Sequence, residues 1–180
     1  AAVAREHDLP EIVARVLVAR GVDINEVPNF LNPSLKNYLP DPSHLLDMDK
    51  AAARVADAIT AKEKIAIFGD YDVDGATSSA LLIRYFHAVG ISPVLYIPDR
   101  MKEGYGPNIP ALLELHKRGV SVVITVDCGT LSFEPLAAAK AVGLDVIVVD
   151  HHLGEARKPE AVAIINPNRL DETSPHNQMA

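Results

Sequence analysis

The chain has little that would point to a secreted or membrane-spanning protein. Its 180 residues include one cysteine, Cys128, which excludes an internal disulfide and fits a reducing compartment. It has no apolar run of about 18 residues or more, the length that a membrane helix needs. The first ten residues carry Arg5, Glu6, His7 and Asp8 where a signal peptide has an apolar stretch. We therefore expect a cytoplasmic protein with no membrane partner.

Nucleotide-binding motifs and surplus positive charge are also lacking. No GxGxxG follows an apolar run and no GxxxxGK[ST] occurs, so dinucleotide-binding and P-loop interpretations lose their main support. Lysine and arginine number 17 against 24 acidic residues, which gives a net charge of -7. That balance argues against a surface that holds nucleic acid through phosphate contacts alone.

The chain does have a regular alternation of short Val/Ile-rich runs with helical patterns. Predicted strands cover residues 65–68, 93–97, 121–126, 145–149 and 161–165, and predicted helices cover 11–20, 49–61, 76–89, 109–118 and 133–142. Apolar runs of this kind are typical of strands buried on both faces. The pattern predicts an α/β fold, a doubly wound and mainly parallel sheet with helices on both faces.

The two ends of the chain differ from this alternating part. Residues 28–48 are Pro-rich and predicted to be irregular, so we expect residues 1–48 to form a helix and a segment that wraps over the core. Residues 49–180 would form the α/β domain. The chain has no initiator Met and ends on TSPHNQMA, which has no helix or strand pattern, so we expect a fragment of a longer protein.

Acidic residues and histidines follow three of the predicted strands. They are Asp70, Asp72 and Asp74 in GDYDVDG, Asp127 in ITVDCGT, and Asp150, His151 and His152 in VVVDHHLG. Ligands of doubly wound sheets bind beyond the carboxyl ends of the strands. Carboxylates gathered there repel one another unless cations lie between them, so a divalent metal site is expected. Mixed Asp and His ligands suit Mn²⁺, Mg²⁺ or Zn²⁺, and Mn²⁺ is favoured where carboxylates dominate.

GDYDVDG also resembles the start of an EF-hand calcium loop. With Asp70 as position 1, the twelfth residue would have to be a bidentate glutamate, but it is Leu81. An apolar, strand-like run precedes the loop where an EF-hand has a helix. We therefore reject the calcium-loop interpretation.

Simpler structural roles remain open for single residues of this set. Asp74 could cap a helix that begins near Ala76, and either Asp127 or Asp150 alone could be an ordinary turn residue. In an extended chain His151 and His152 point to opposite sides. That geometry favours one histidine as a ligand and the other as a contact to substrate or to the ligands. Cys128 is interpreted as a small packing residue, because a thiolate is disfavoured beside acidic groups.

DYDVDG, VDCGT and VDHH, in this order, resemble the motifs of the DHH phosphoesterase family. The flanking phrases LPDPSHLLDMDKAAARV, EGYGPN and INPNR extend the resemblance, over roughly residues 30–169, to the RecJ branch of single-strand DNA exonucleases. The resemblance implies a phosphodiesterase with two metal ions, Mn²⁺ or Mg²⁺, that degrades single-stranded DNA from the 5′ end in DNA repair and recombination.

The resemblance also implies roles for the metal ligands. Asp72 and Asp74 would each hold one ion, Asp127 would bridge both ions, and His151 would join the second. Some relatives have a histidine where this chain has Phe68, and Asp70 would substitute for it beside the first ion.

Three further residues have implied or predicted roles around these ligands. His152 would face the scissile phosphate, and Asp150 would orient its neighbours. Arg100 in IPDRMKEGYG follows a predicted strand on the same sheet edge. Its guanidinium could bind a phosphate through two hydrogen bonds, or it could be a solvated loop arginine.

Family members have more than this chain contains. The resemblance implies a C-terminal companion domain with a further aspartate ligand, and that domain and the metals would compensate for the acidic charge. It also implies single-stranded DNA, a single-strand-binding protein and a helicase as partners. Alternatives are a DHH phosphoesterase acting on short oligonucleotides, nucleoside bisphosphates, cyclic dinucleotides or pyrophosphate, and a non-catalytic DHH scaffold.

Overall fold

The computed structural model describes residues 2–175, in two compact units that divide between Asp41 and Pro42. The first unit is helical, with α1 (Ala2–Glu6), α2 (Glu11–Ala19), α3 (Val27–Leu31) and α4 (Leu35–Tyr38). Val3, Leu17 and Val27 form part of its small apolar core. Residues 28–48 were predicted to be irregular, yet α3 and α4 lie there. Pro28 is compatible with α3 because it falls in the first turn, where its missing N–H costs no hydrogen bond.

The second unit contains a sheet of five parallel strands. They are β1 (Lys64–Gly69), β2 (Val94–Tyr96), β3 (Val120–Val126), β4 (Asp145–Val149) and β5 (Ala163–Ile165). Their order in the sheet is β2-β1-β3-β4-β5, and every neighbouring pair is parallel. The parallel α/β architecture expected from the apolar runs is thereby confirmed.

Helices cover both faces of this sheet. They are α5 (Met48–Thr60), α6 (Val73–Ala88), α7 (Ile109–Lys117) and α8 (Phe133–Ala141). Phe86 of α6 shares one buried cluster with Ile67, whereas Leu115 of α7 and Leu136 of α8 share another with Phe68. Ile67 and Phe68 are successive residues of β1, whose side chains point to opposite faces. The sheet is therefore doubly wound, as predicted.

Two element boundaries differ from the sequence-based prediction in ways that affect the site. Helix α6 begins at Val73, three residues before the predicted start, because the Asp72 side chain caps it. Strand β5 begins at Ala163, two residues after its predicted start at 161. Among the described residues, no helix combines the length and apolar character needed to cross a membrane.

The register of the strands aligns the residues that follow them. Gly69 pairs with Val126, Val126 with Val149, and Val149 with Ile165. The next residues along the four strands therefore form a row at the carboxyl edge, Asp70, Asp127, Asp150 and Asn166. The strand order reverses between β1 and β3, which is where ligands bind in doubly wound sheets. Asp70 and Asp127 follow the two strands at this reversal point.

Candidate metal centre

The loop between β1 and α6 supplies two carboxylates in different environments. Asp70 is 3% exposed, and its Oδ1 atom is buried without a hydrogen-bond partner. Asp72 is exposed, and its Oδ1 accepts hydrogen bonds from the backbone N–H groups of Asp74 (2.9 Å) and Gly75 (3.2 Å). The N-cap is thus Asp72, and the suggestion that Asp74 caps a helix starting near Ala76 is wrong.

Asp127 occupies the centre of the site, directly after β3. It is 6% exposed and has a positive φ of 62°, a backbone conformation that Asp tolerates better than most residues. Its Oδ1 lies 3.0 Å from His151 Nε2, and its Oδ2 is buried without a hydrogen-bond partner. A buried carboxylate oxygen of this kind has lost its water and gained no donor in exchange, which fits a cation as its partner.

Asp150 holds the two histidines that follow β4. Its Oδ1 accepts hydrogen bonds from His151 N at 2.8 Å and from His152 N at 3.2 Å, and it lies 2.7 Å from His152 Nδ1. Its Oδ2 accepts from Thr130 N at 3.0 Å. The chain bends here instead of continuing as a strand, so that the two imidazole rings come within 4.8 Å of each other.

Two groups of side chains each bring three ligand atoms within 4.8 Å of one another. One group is Asp70, Asp72 and Asp127, and the other is Asp127, His151 and His152. Asp127 belongs to both. His152, expected at the substrate phosphate, therefore lies within ligand distance as well. Asp74 belongs to neither group among the described residues, but it lines a cavity of about 220 Å³ together with Asp127, Asp150 and His151.

The electrostatics follow from burial and crowding of like charges. Burial first, and the nearby Asp72 carboxylate second, raise the pKa of Asp127 to about 6. Burial also raises the pKa of Asp70. Burial alone would raise the pKa of Asp150, but the hydrogen bonds from Thr130 and His152 outweigh it and lower that pKa. The chain therefore holds unfavourable negative charge at Asp70 and Asp127, which a bound cation would relieve.

Arg100 and Tyr105 lie in the loop that follows β2. The Arg100 guanidinium stacks over the Tyr71 ring, 4.9 Å from its centroid. The Tyr105 hydroxyl donates a hydrogen bond to the Asp127 carbonyl at 2.9 Å and lies 3.2 Å from His152 Nδ1. No sequence pattern singled out Tyr105, although it lies in the segment EGYGPN that resembles the family. Its side chain supports the backbone of the central ligand.

The residues of this candidate metal centre lie in a segment that matches a known protein family. The family model described as "DHH family, N-terminal domain" matches residues 64–177. The chain belongs to the DHH family. It is 39% identical over 169 residues to the single-stranded-DNA-specific exonuclease RecJ of Bacillus subtilis, covering 94% of this chain and 22% of that protein. The Escherichia coli RecJ is 36% identical over 174 residues, covering 96% of this chain and 30% of that protein.

Solved structures of RecJ proteins match the fold. A structure described as exonuclease RecJ bound to manganese aligns with a TM-score of 0.63 at 34% identity, covering 68% of this chain and 31% of that one. RecJ from Thermus thermophilus in complex with Mn²⁺ aligns with a TM-score of 0.68 at 28% identity, covering 91% of this chain and 22% of that one. The chain thus spans less than a third of the length of these relatives.

Proposed function

We propose that this chain is the metal-binding catalytic part of a RecJ-like exonuclease. The proposed reaction is hydrolysis of single-stranded DNA from the 5′ end with two divalent cations, Mn²⁺ or Mg²⁺. One observation carries the proposal: Asp127 is shared by the two ligand groups, so a single carboxylate can bridge two ions. The identity to RecJ exonucleases over most of the chain supports the same class of substrate.

The proposed ligands divide between the two ions. Asp70, Asp72 and Asp127 would hold the first ion, and Asp127, Asp74 and His151 would hold the second. Asp74 is placed there because it lines the cavity beside Asp127 and His151. The buried, unpartnered oxygens of Asp70 and Asp127 support this donor set. When bound, such a pair of cations lowers the pKa of water and stabilises the charge that develops at phosphorus.

The remaining residues would bind and orient the substrate. His152 would donate a hydrogen bond to the scissile phosphate. Burial alone would lower its pKa, but the contact of Nδ1 with Asp150 outweighs burial and raises it, so the ring stays protonated to a higher pH. Asp150 would fix the orientation of both histidines. Arg100 would bind a phosphate, held in place by its stack on Tyr71.

We further propose the domain organisation and partners. Residues 1–48 would form an N-terminal segment that precedes a DHH domain formed by residues 49–180. A C-terminal companion domain would close over the DNA and compensate for the net charge of -7. Function in the cytoplasm, in repair and recombination, with a single-strand-binding protein and a helicase as partners, completes the proposal.

A cleavage assay tests this function. The full-length polypeptide that contains this chain, supplied with Mn²⁺, should shorten 5′-phosphorylated single-stranded DNA carrying a label at its 3′ end. The variant Asp127→Ala should lose this activity, whereas Asp57→Asn, an exposed acidic residue of α5, should keep it. Cleavage of a dinucleotide but not of the long strand would instead favour a phosphoesterase of short substrates. No cleavage together with no Mn²⁺ binding would favour a scaffold.

A further inference from the structure

The backbone N–H and carbonyl groups of His151 and His152 all form hydrogen bonds with side chains. Asp150 accepts from both N–H groups, as described above. The two carbonyls accept hydrogen bonds from side-chain amides of the segment after β5. Asn168 Nδ2 donates to the His151 carbonyl, and Asn166 Nδ2 donates to the His152 carbonyl at 2.8 Å.

Asn166 is fully buried and uses both ends of its amide. Its Nδ2 also donates to Thr130 Oγ1 at 2.8 Å, and its Oδ1 accepts from Asn168 N at 2.7 Å. Pro167 separates the two asparagines, and its ring restricts the backbone conformation between them. These contacts restrict the side-chain amides of Asn166 and Asn168 to positions from which they reach the successive carbonyls of His152 and His151.

These contacts have a consequence for the two imidazoles. In an extended chain the side chains of successive residues point to opposite sides, so both rings can face one site only if the chain bends after β4. A bend removes the carbonyls from the sheet ladder, so these partly buried groups need other hydrogen-bond donors. Asn166 and Asn168 supply those donors. Asp at either position would have no N–H to give.

We propose that Asn166 and Asn168 are positioning residues that place His151 and His152 on the same side of the chain, next to Asp127. This inference rests on the proposed function, because it assigns the asparagines to the metal centre described there. We call this pair the amide clamp. It acts through the backbone of the histidines, and neither asparagine is proposed to contact a cation or the substrate.

A purely structural role would give a different result from positioning. If the amides only attached the segment after β5 to the sheet, their loss would lower thermal stability but leave the geometry of the histidines unchanged in the folded protein. The His151 and His152 rings, with centroids 4.8 Å apart, provide a direct readout. A proton nuclear Overhauser effect between the two rings can be measured in the metal-free chain.

The test uses Asn168→Ala as the main variant, because Asn168 is only partly buried and its loss should leave the fold intact. Asn108→Ala is the matched control, since Asn108 caps α7 by accepting from Ala111 N at 2.9 Å. We expect the ring-to-ring effect to disappear in Asn168→Ala and to persist in Asn108→Ala. An effect of unchanged strength in Asn168→Ala would overturn the proposal, whether or not the chain binds Mn²⁺.

A double-mutant cycle supplies the second readout. Asn168→Ala should raise the Kd for Mn²⁺ about tenfold, the lower end of what partners behind metal ligands typically contribute. In a His151→Ala background the same substitution should change the Kd by less than about twofold, because its effect passes through that histidine. Equal losses in both backgrounds would contradict the proposal. The Kd is measured on the full-length polypeptide. If that polypeptide binds no Mn²⁺, the proposed function fails, while the ring-to-ring measurement still decides on the clamp.

Discussion

The guanidinium of Arg100 lies over the ring of Tyr71, 4.9 Å from its centroid. Tyr71 stands between Asp70 and Asp72 in the loop after β1, whereas Arg100 belongs to the loop after β2. The stack therefore connects the proposed phosphate-binding group to the loop that carries two of the proposed metal ligands. A cation over an aromatic face contributes about 0.5–2 kcal/mol, enough to bias the position of an exposed side chain.

Replacing Tyr71 should weaken substrate binding through Arg100. We expect Tyr71→Leu to raise the KM of the full-length polypeptide for 5′-phosphorylated single-stranded DNA about fivefold, as loss of about 1 kcal/mol implies. Tyr71→Phe keeps the aromatic face and should stay within about twofold of the parent. Equal effects of the Leu and Phe variants would show that the stack does not position Arg100.

Asp127 is predicted to destabilise the metal-free chain. Its folded-state pKa is raised from 3.8 to about 6, so the folded state favours the neutral carboxyl, and stability falls as the pH rises from about 4 through 6. The cost is at most about 3 kcal/mol. Asp127→Asn should therefore unfold at higher urea concentration than the parent at pH 7.5, with little difference at pH 4. Mn²⁺ should stabilise the parent and not the variant, and equal midpoints at pH 7.5 without metal would contradict the prediction.

The same group sets the pH dependence of metal binding. A cation can bind Asp127 only after the carboxyl has lost its proton, so the apparent Kd for Mn²⁺ should rise about fivefold from pH 6 to pH 5 and approach tenfold for each pH unit below that. Above pH 7 the Asp127 carboxyl is ionised, and its titration should no longer change the Kd. The Kd measured by calorimetry from pH 5 to 8 checks the slope, and the heat in buffers of different ionisation enthalpy counts the released protons. A Kd independent of pH would remove Asp127 from the ligands.

Much of the candidate centre could be predicted from the sequence because strand ends are readable without knowing which strands pair. The apolar runs before Asp70, Asp127 and Asp150 place all three at carboxyl ends, and parallel pairing brings such ends to one edge. Asn166 follows β5 in the same row, yet periodicity gave no reason to single it out. Its contact with His152 depends on the register of β5 against β4, which no local pattern encodes.

Local chemistry explains the other differences. Helix α6 starts at Val73 because Asp72 satisfies the N–H groups of its first turn, and three closely spaced aspartates offered more than one possible cap. The histidines face the same side because the chain bends, with Asp150 accepting from both of their N–H groups and Asn166 and Asn168 donating to their carbonyls. An extended strand would have separated them.

Gly75 is predicted to be required for the position of Asp70. A Cβ at Gly75 would lie 2.4 Å from the Asp70 carbonyl oxygen, so the loop after β1 would have to move. We expect Gly75→Ala to weaken Mn²⁺ binding at least tenfold. Gly119→Ala is the control, because its φ of +81° makes alanine strained there while no atom lies near the added carbon. It should cost about 1 kcal/mol of stability and leave the Kd unchanged.

Arg169 binds both Asp47 and Asp171, and its side chain is 8% exposed. Its Nη1 lies 3.0 Å from Asp47 Oδ2 and donates to the Ile164 carbonyl at 2.6 Å, and its guanidinium also binds both oxygens of Asp171. Because the Arg169 guanidinium is buried but the Asp47 side chain is 34% exposed, Arg169→Leu should lower the free energy of unfolding by about 1–3 kcal/mol. Lys158→Met, which removes only an exposed contact to Asp171, should cost less than about 1 kcal/mol.

Acid titration separates the charge of Arg169 from its packing. Burial opposes ionisation of Asp47, but the Ile164 N–H and Arg169 outweigh it and lower the pKa; the hydrogen bond from Arg169 is the main cause of the lowered pKa of Asp171. Carboxyls with lowered folded-state pKa values stabilise the fold above about pH 4, and this contribution is lost as the pH falls further. Urea unfolding between pH 7 and 2.5 should therefore show a steeper loss of stability below pH 4 in the parent than in Arg169→Leu. Parallel curves would mean that Arg169 acts by packing alone.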